Sequence, residues 1–362
     1  MKGSIIITGS EILCGLRQDL LIQPLAAMMV SRGIAMGEIR VIGDDPAVLL
    51  RTILDVQAES DLIVVTGGLG LTPDDTTPAA VRMLEEKEHI SRNPDIANPV
   101  GSALGIDLSF ESGTRVMFFP GVPAETLAMF ATVVDRLNRG APQSVEVAVF
   151  GLREVEIARR LGDLAPSCGY LPRDMEVAVI VPSALEERVR RILGRHALEG
   201  RDLNATVGAL LRGRGLTCAT AESCTGGLIA HLMTQLPGSS DYFLGSVVSY
   251  SNDIKTRVLG VSEELIIRHG AVSREVALAM LEGVLALTGA DVGLATTGIA
   301  GPSGGTAAKP VGTVWIAAGG RAGHMVRDYR FSFDRAGNKM IFAKTALFQL
   351  RSCIHDSDIH RI

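Results

Sequence analysis

Aromatic residues are scarce in this 362-residue sequence, at 4% with a single tryptophan. Small residues and tight turns take their place, with 40 glycines, and this suits α/β folds whose ligands meet backbone in Gly-rich loops. No excess of positive charge is present. The formal net charge is −5, which removes any general attraction for nucleic acid. The five cysteines, Cys14, Cys168, Cys218, Cys224 and Cys353, are odd in number and scattered, with no Cys-x-x-Cys pair. A disulfide framework and a structural zinc are therefore not expected, and a cytoplasmic location is. No stretch reaches the ~18 uninterrupted apolar residues of a membrane span. The run Ile5-Ile6-Ile7 stops at Thr8-Gly9, so the start reads as a first β-strand rather than a signal peptide. There is no internal repeat and no low-complexity linker.

What is present is ample core material, at 47% apolar residues, spread over a length that calls for two or three domains. Residues 1–140 alternate short apolar runs with helical stretches: Ser4–Thr8, a helix near Leu20–Ser31, Glu38–Ile42, a helix near Ala47–Glu59, and Asp61–Thr66. This βαβ rhythm predicts a parallel sheet covered by helices. Its Gly-rich turns, Gly9-Ser10-Glu11 and Thr66-Gly67-Gly68-Leu69-Gly70, follow strands, where ligands of such folds sit. A boundary is read at Gly140-Ala141-Pro142. Residues 143–200 read as a small α+β connector, with strands at Ser144–Phe150 and Glu176–Val181 and helices at Arg153–Leu161 and Leu185–Ala197. Residues 202–355 alternate helix and strand again and form a third piece.

In that last piece the strand Thr217–Ala221 runs into Glu222-Ser223-Cys224-Thr225-Gly226-Gly227 and then a helix, Leu228–Gln235. A serine between a strand and a helix amino-terminus suits a nucleophile, because backbone N–H groups there can hold an oxyanion. It equally suits a helix N-cap. None of the seven histidines stands in a motif that would supply the base, so a Ser–Lys pair is the arrangement to consider. Lys255, where Val247–Ser251 turns into a short helix, is the candidate. A lysine in such a helix is ordinarily a solvated charge, and only burial or a neighbouring cation would bring its pKa toward neutrality. Cys224 is a rival nucleophile, but adjacent side chains diverge and only one can face a substrate. Leu294 to Gly305 is a strand emptying into a Gly-rich loop; such loops point N–H groups at phosphate or carboxylate, although this one is not a Walker A sequence. Arg335, placed between a strand and a helix Lys339–Leu350, would serve as a phosphate clamp or be an exposed helix-start charge.

Ala219 to Gly227, Tyr250-Ser251-Asn252, Gly270-Ala271-Val272-Ser273 and Thr297 to Pro302, in this order, resemble the CinA carboxy-terminal family over about 150 residues. The resemblance implies a nicotinamide mononucleotide deamidase in pyridine nucleotide salvage, an amidohydrolase yielding nicotinic acid mononucleotide and ammonia. It implies Ser223 as nucleophile, Lys255 as base and Tyr250 as an orienting group, with no cofactor. Glu222, Thr225, Gly226, Gly227, Asn252, Thr297, Gly298, Gly301 and Arg335 are then the expected substrate-binding residues.

Thr66 to Asp75, Gly9-Ser10-Glu11, Gly43-Asp44 and Phe119-Pro120-Gly121-Val122-Pro123 resemble the molybdopterin-binding-like three-layer α/β domain of full-length members. That domain is associated with metal-dependent hydrolysis of ADP-ribose-type pyrophosphates. The implied ligand or metal site takes in Glu11, Asp44, Gly67, Gly68, Asp74 and Asp75, with a divalent metal as its cofactor, although paired Asp residues also simply start helices. This copy departs from the pattern. Leu16-Arg17-Gln18-Asp19-Leu20-Leu21 stands where polar, Asn-rich residues are usual, Leu71 replaces a proline, and the stretch from Glu88 to Asn98 is short. A non-catalytic pterin- or nucleotide-binding module is the alternative. The connector resembles the family's KH-type linker but has no Gly-x-x-Gly loop for a nucleic-acid backbone. The expected fold is thus α/β with a small α+β insert, its partners pyridine nucleotides and a second copy of the chain in a homodimer, with no membrane or nucleic acid.

Overall fold

The computed structural model describes residues 1–70, 75–137, 144–320 and 323–356. Two compact units divide the chain, Met1–Val145 and Glu146–Ile362. The boundary expected at residues 140–142 lies outside the described residues.

In the first unit six strands form one sheet: β1 (Lys2–Thr8), β2 (Ala35–Ile42), β3 (Leu62–Thr66), β4 (Ile90–Arg92), β5 (Ile106–Phe110) and β6 (Arg115–Phe119), ordered β2-β1-β3-β6-β5-β4. The four strands from β2 to β6 in that order are parallel, whereas β5 and β4 run antiparallel at one edge. The purely parallel sheet expected from the βαβ rhythm is therefore mixed. A three-residue edge strand such as Ile90–Arg92 is too short to leave a periodic signal. Alternation along the central strands decides the layers. Ile5, Ile7, Leu62 and Val64 pack against the helices Ile22–Ser31 and Pro123–Leu137 through Leu25, Met29, Met129 and Phe130. Ile6, Ile63 and Val65 point the other way, onto Leu49, Ile53 and Leu84 of Pro46–Gln57 and Thr77–Lys87. The result is a three-layer α/β sandwich.

The second unit opens with a three-stranded sheet, β7 (Ser144–Phe150), β8 (Gly169–Arg173) and β9 (Glu176–Pro182), ordered β7-β9-β8. The helices Glu154–Leu161 and Glu186–Leu193 accompany it. The second is shorter than expected because Gly194, at φ +53, ends it. Strand β8 was not foreseen, since Gly169-Tyr170-Leu171-Pro172-Arg173 has neither apolar alternation nor β-branched residues.

A five-stranded sheet follows: β10 (Cys218–Glu222), β11 (Phe243–Val248), β12 (Val292–Gly298), β13 (Thr313–Gly320) and β14 (Gly323–Arg330), ordered β11-β10-β12-β13-β14. Its first three spatial neighbours are parallel and the last two pairings antiparallel. The helices Leu203–Gly213, Leu228–Thr234 and Arg335–Asp356 cover one face through Val207, Leu211, Ile229, Met233, Phe342 and Leu347. Arg274–Thr288 covers the other through Val276, Met280, Leu281 and Val284. Ala148, Phe150 and Leu198 belong to the same core as Leu203 and Leu350, so the small sheet is packed as one body with the larger one. Among the described residues, no helix is long and apolar enough to cross a membrane.

Candidate active site

Because β10 and β11 are parallel neighbours, their carboxyl ends open at the same edge, and the two sequence segments singled out above meet there. Ser223 follows β10 directly. Its amide donates to Thr296 O at 3.0 Å, which fixes the turn against β12. Gly226 and Gly227 then adopt φ +61 and +89, values open to glycine at no steric cost, and the chain reverses into the helix Leu228–Thr234. From the neighbouring strand, Ser249 N donates to Glu222 O at 2.8 Å, so Tyr250 and the helix Asn252–Leu259 start beside Ser223. Ser251 caps that helix by accepting from Ile254 N.

Lys255 is one turn before Leu259, and both are on the inward face of this helix. Its side chain is 1% exposed. The ammonium nitrogen lies 3.1 Å from Ser223 Oγ, donates to Ser249 O at 2.7 Å and approaches Tyr250 O at 3.5 Å. Among the described residues no carboxylate pairs with it. Burial therefore lowers its pKa from the ordinary lysine value, opposed weakly by the Cys224 sulfur. Ser223 itself is 8% exposed, so the pair sits at the floor of the site.

The other expected residues divide into two groups. Glu222 is fully buried, and its carboxylate accepts Ile229 N at 3.1 Å and Ala230 N at 2.8 Å. Expected from sequence to be a substrate ligand, it instead caps the helix after Ser223. Strand alternation turns it inward with Cys218 and Thr220, toward the helical layer. Thr225 and Thr296 share a hydroxyl contact at 2.8 Å, and Thr297 Oγ1 donates to Ala271 O at 2.7 Å; all three are buried. These side chains hold loops in place rather than face solvent. Exposed at the mouth are Gly226, Asn252, Tyr250 and Arg335, with Gly227 and Gly298 half-buried.

Tyr250 is 60% exposed, and its hydroxyl is 2.9 Å from Arg335 Nη2 rather than beside Ser223 or Lys255. Only its backbone carbonyl reaches the lysine. Arg335 is the first residue of a 22-residue helix, four residues earlier than sequence suggested. Nη1 donates to the Gly301 carbonyl at 2.5 Å. Asn338, fully buried, donates to Ala300 O at 3.0 Å and ties the same loop.

Of the amides near the nucleophile, those of Ser223, Gly226, Ile229 and Ala230 are committed within the fold. The amides of Cys224, Thr225 and Gly227 carry no hydrogen bond to another described residue, and they are the donors on offer to an oxyanion. Cys224 is buried and its thiol is pushed up to about 12, mainly by desolvation. It is not a thiolate at neutral pH, which removes it as the rival nucleophile.

In the first unit, Gly67 (φ +107) and Gly68 (φ +58) form the turn after β3. A Cβ on Gly67 would stand 2.2 Å from Thr8 O, so only glycine lets the ends of β1 and β3 approach this closely. Asp44 accepts from Ser10 N at 2.8 Å, and Glu11 is 3.7 Å from Arg17. The Asp75 carboxylate lies beside Gly70. Asp74 falls outside the described residues. Among the described residues no group of three His, Cys, Asp or Glu side chains is close enough to hold a metal ion.

Reasoning from sequence missed Ser249, whose carbonyl holds Lys255, and Lys339, whose ammonium lies over the Gly226 turn. The first acts through backbone and leaves no residue-type signal. The second was detectable had the helix been started at Arg335, since 335 and 339 are one turn apart.

Comparison with known proteins finds two families in succession along the chain. Residues 200–354 match the family described as CinA C-terminal domain, and residues 4–139 match "Probable molybdopterin binding domain". A CinA-like protein of Desulforapulum autotrophicum is 38% identical, covering 97% of this chain and 98% of its own length. One from Geobacter metallireducens is 36% identical at the same coverage. The first alignment runs to 414 residues against a chain of 362, so at least 52 of its positions (414 less 362) have no residue here. The crystal structure of the competence/damage inducible protein CihA from Agrobacterium tumefaciens is 40% identical, over 42% of this chain and 93% of that one, with a TM-score of 0.41. Matched nearly end to end by such relatives, and carrying both family domains in order, the chain belongs to the CinA-like proteins.

Proposed function

We propose that the carboxy-terminal part of the chain, residues 202–355, hydrolyses the carboxamide of nicotinamide mononucleotide to nicotinic acid mononucleotide and ammonia. The observation that carries this is Lys255: buried, without a carboxylate partner among the described residues, and 3.1 Å from Ser223 Oγ. A lysine so placed is poised to be neutral and to accept the serine proton. Ser223 Oγ then attacks the carboxamide carbon, and the developing oxyanion is met by the amides of Cys224, Thr225 or Gly227. The ammonium of Lys255 returns its proton to the departing nitrogen, ammonia leaves, and an acyl-enzyme remains. Water, deprotonated by the again neutral lysine, attacks the ester. The tetrahedral intermediate collapses to the acid and free Ser223. This route requires no cofactor. The nucleotide as substrate, rather than another primary amide, rests on the family resemblance together with the cationic rim to which Arg335 and Lys339 belong.

The test is ammonia release from nicotinamide mononucleotide by the purified chain, followed against pH. The base form of Lys255 gains population as pH rises, and burial moves that gain below the ordinary lysine value of 10.5. The rate kcat/KM should therefore climb with pH and level off before 10.5 is reached. An inert protein sinks the reading. A basic limb still climbing past 10.5 removes Lys255 as the base.

For the amino-terminal unit we propose ligand binding at the ends of β1, β2 and β3 without turnover, by a pterin or nucleotide. What supports binding without turnover is the departure of Leu16-Arg17-Gln18-Asp19-Leu20-Leu21 and of Leu71 from the family pattern. The expected result is that ADP-ribose incubated with Mg²⁺ or Mn²⁺ is recovered intact while ADP-ribose or a pterin binds. Metal-dependent release of AMP and ribose 5-phosphate would restore the pyrophosphatase alternative.

A further inference from the structure

The rim of the dyad site holds a second cation that no contact among the described residues accounts for. Lys339 follows Arg335 by four residues, so the two project from one face of the helix Arg335–Asp356. The helix start is pinned: Asp334 accepts Gly337 N at 2.7 Å, and Asn338 is locked onto the carbonyls of Ala300 and Phe333. Lys339 is therefore carried to a defined place. Its ammonium nitrogen lies 3.6 Å, and its Cε 4.0 Å, from where a Cβ on Gly226 would stand. Gly226 is exposed, three residues from Ser223 in the same turn.

Two of the five N–H donors of Arg335 are occupied, by Gly301 O and the Tyr250 hydroxyl. The Lys339 ammonium makes no hydrogen bond or ion pair with any described residue. The carboxylates of the segments that build the site have partners of their own: Asp253 with Arg257, Asp334 at the helix start, and Glu222 inside the fold. A half-buried lysine held over a glycine turn, with no anion of its own, is an anion receptor in form.

We propose that Lys339 receives the phosphate monoester of the substrate over the Gly226–Gly227 turn, while Arg335 chiefly bridges the Gly301 loop to Tyr250. This inference rests on the deamidase reading and adds to it a specificity-determining residue that separates a nucleotide from its nucleoside.

Steady-state kinetics of Lys339→Met and Lys339→Arg test it, with nicotinamide riboside as competitor. Removing one charged contact to a phosphate should raise KM for nicotinamide mononucleotide by about ten- to a hundredfold, with kcat changed less than about threefold. The inhibition constant of the riboside, which has no phosphate, should stay within about threefold, and Lys339→Arg should recover most of the lost affinity. That unchanged riboside constant also shows that the site is intact. If Lys339→Met leaves KM unaltered, or weakens nucleotide and riboside equally, Lys339 is not the phosphate receptor although the deamidase reading stands. An inert wild type removes both.

Discussion

Ser223→Ala and Lys255→Met should each abolish ammonia release from nicotinamide mononucleotide, by roughly three orders of magnitude or more, in proteins that remain folded. The two losses should not add, because nucleophile and base act as one unit and either deletion removes the same step. Ser223→Ala deletes one oxygen from a turn whose conformation is set by backbone: the Ser223 amide to Thr296, the Gly226 amide to the Ser223 carbonyl, and two positive-φ glycines. Among the described residues the hydroxyl meets only Lys255. Lys255→Met keeps the buried chain length and removes the charge. Since the native site keeps an ammonium-forming group in a desolvated place, the methionine variant should melt a few degrees above wild type at neutral pH.

The sign of that effect follows from the lowered pKa of Lys255. In the unfolded chain the lysine stays charged up to about its ordinary value. In the folded protein its charged form is disfavoured, so its burial costs stability throughout the acidic and neutral range. That cost shrinks as pH rises from the lowered folded value toward 10.5. The gain from Lys255→Met should shrink over the same window. A variant that keeps its rate with either substitution would show that another group does the chemistry. A methionine variant that melts well below wild type would mean that the lysine's contacts to Ser249 and Tyr250 outweigh its desolvation.

The largest stability effect is expected far from Ser223. Lys344 and Glu176 form an ion pair at 2.5 Å with both side chains 4% exposed, joining the long last helix to the start of β9. The carboxylate also accepts the Leu203 amide, at 3.1 and 3.2 Å, where the helix Leu203–Gly213 begins. Burial pushes the Glu176 carboxyl upward, and Lys344 and the Leu203 amide hold it back. Taking the lysine away leaves a buried carboxylate whose remaining hydrogen-bond partner is the Leu203 amide. Lys344→Met should therefore cost about 3–5 kcal/mol in the second unit. Adding Glu176→Gln should return much of this, since the amide oxygen can still accept from Leu203 and no charge is left stranded.

Trp315, the single tryptophan, lies on β13, so its fluorescence follows unfolding of this unit alone. The measured quantity is the denaturation midpoint of the two single variants and the double variant. A loss under about 1 kcal/mol for Lys344→Met would mean that water reaches the carboxylate and that the junction is looser than its burial implies.

Much of this architecture was legible without coordinates. Runs such as Ile5-Ile6-Ile7 and Leu62-Ile63-Val64-Val65 announce strands buried on both faces, because a parallel sheet under two helical layers has no polar side. Gly67-Gly68 and Gly226-Gly227 announce turns, because only glycine takes these backbone angles cheaply. The position of Ser223 between strand and helix was visible for the same reason. Two edge strands were not: the short β8 and the three-residue β4 are held by pairing and show no apolar alternation of their own.

The site itself depended on distance along the chain. Ser223 and Lys255 are 32 residues apart and meet because β10 and β11 pair in parallel with their ends in register. Nothing local to Asn252–Leu259 distinguishes a buried lysine from a solvated one. The neighbours that strip it of water, and the carbonyl of Ser249 that holds it, come from packing. Glu222 makes the same point in reverse. Its residue type and place suggested a ligand, yet strand alternation and the amides of Ile229 and Ala230 draw it into the core. Residue types and short-range spacing determined which segments could carry chemistry; the pairing of distant strands decided which side chains are dry, which are wet, and which nitrogen stands beside the serine.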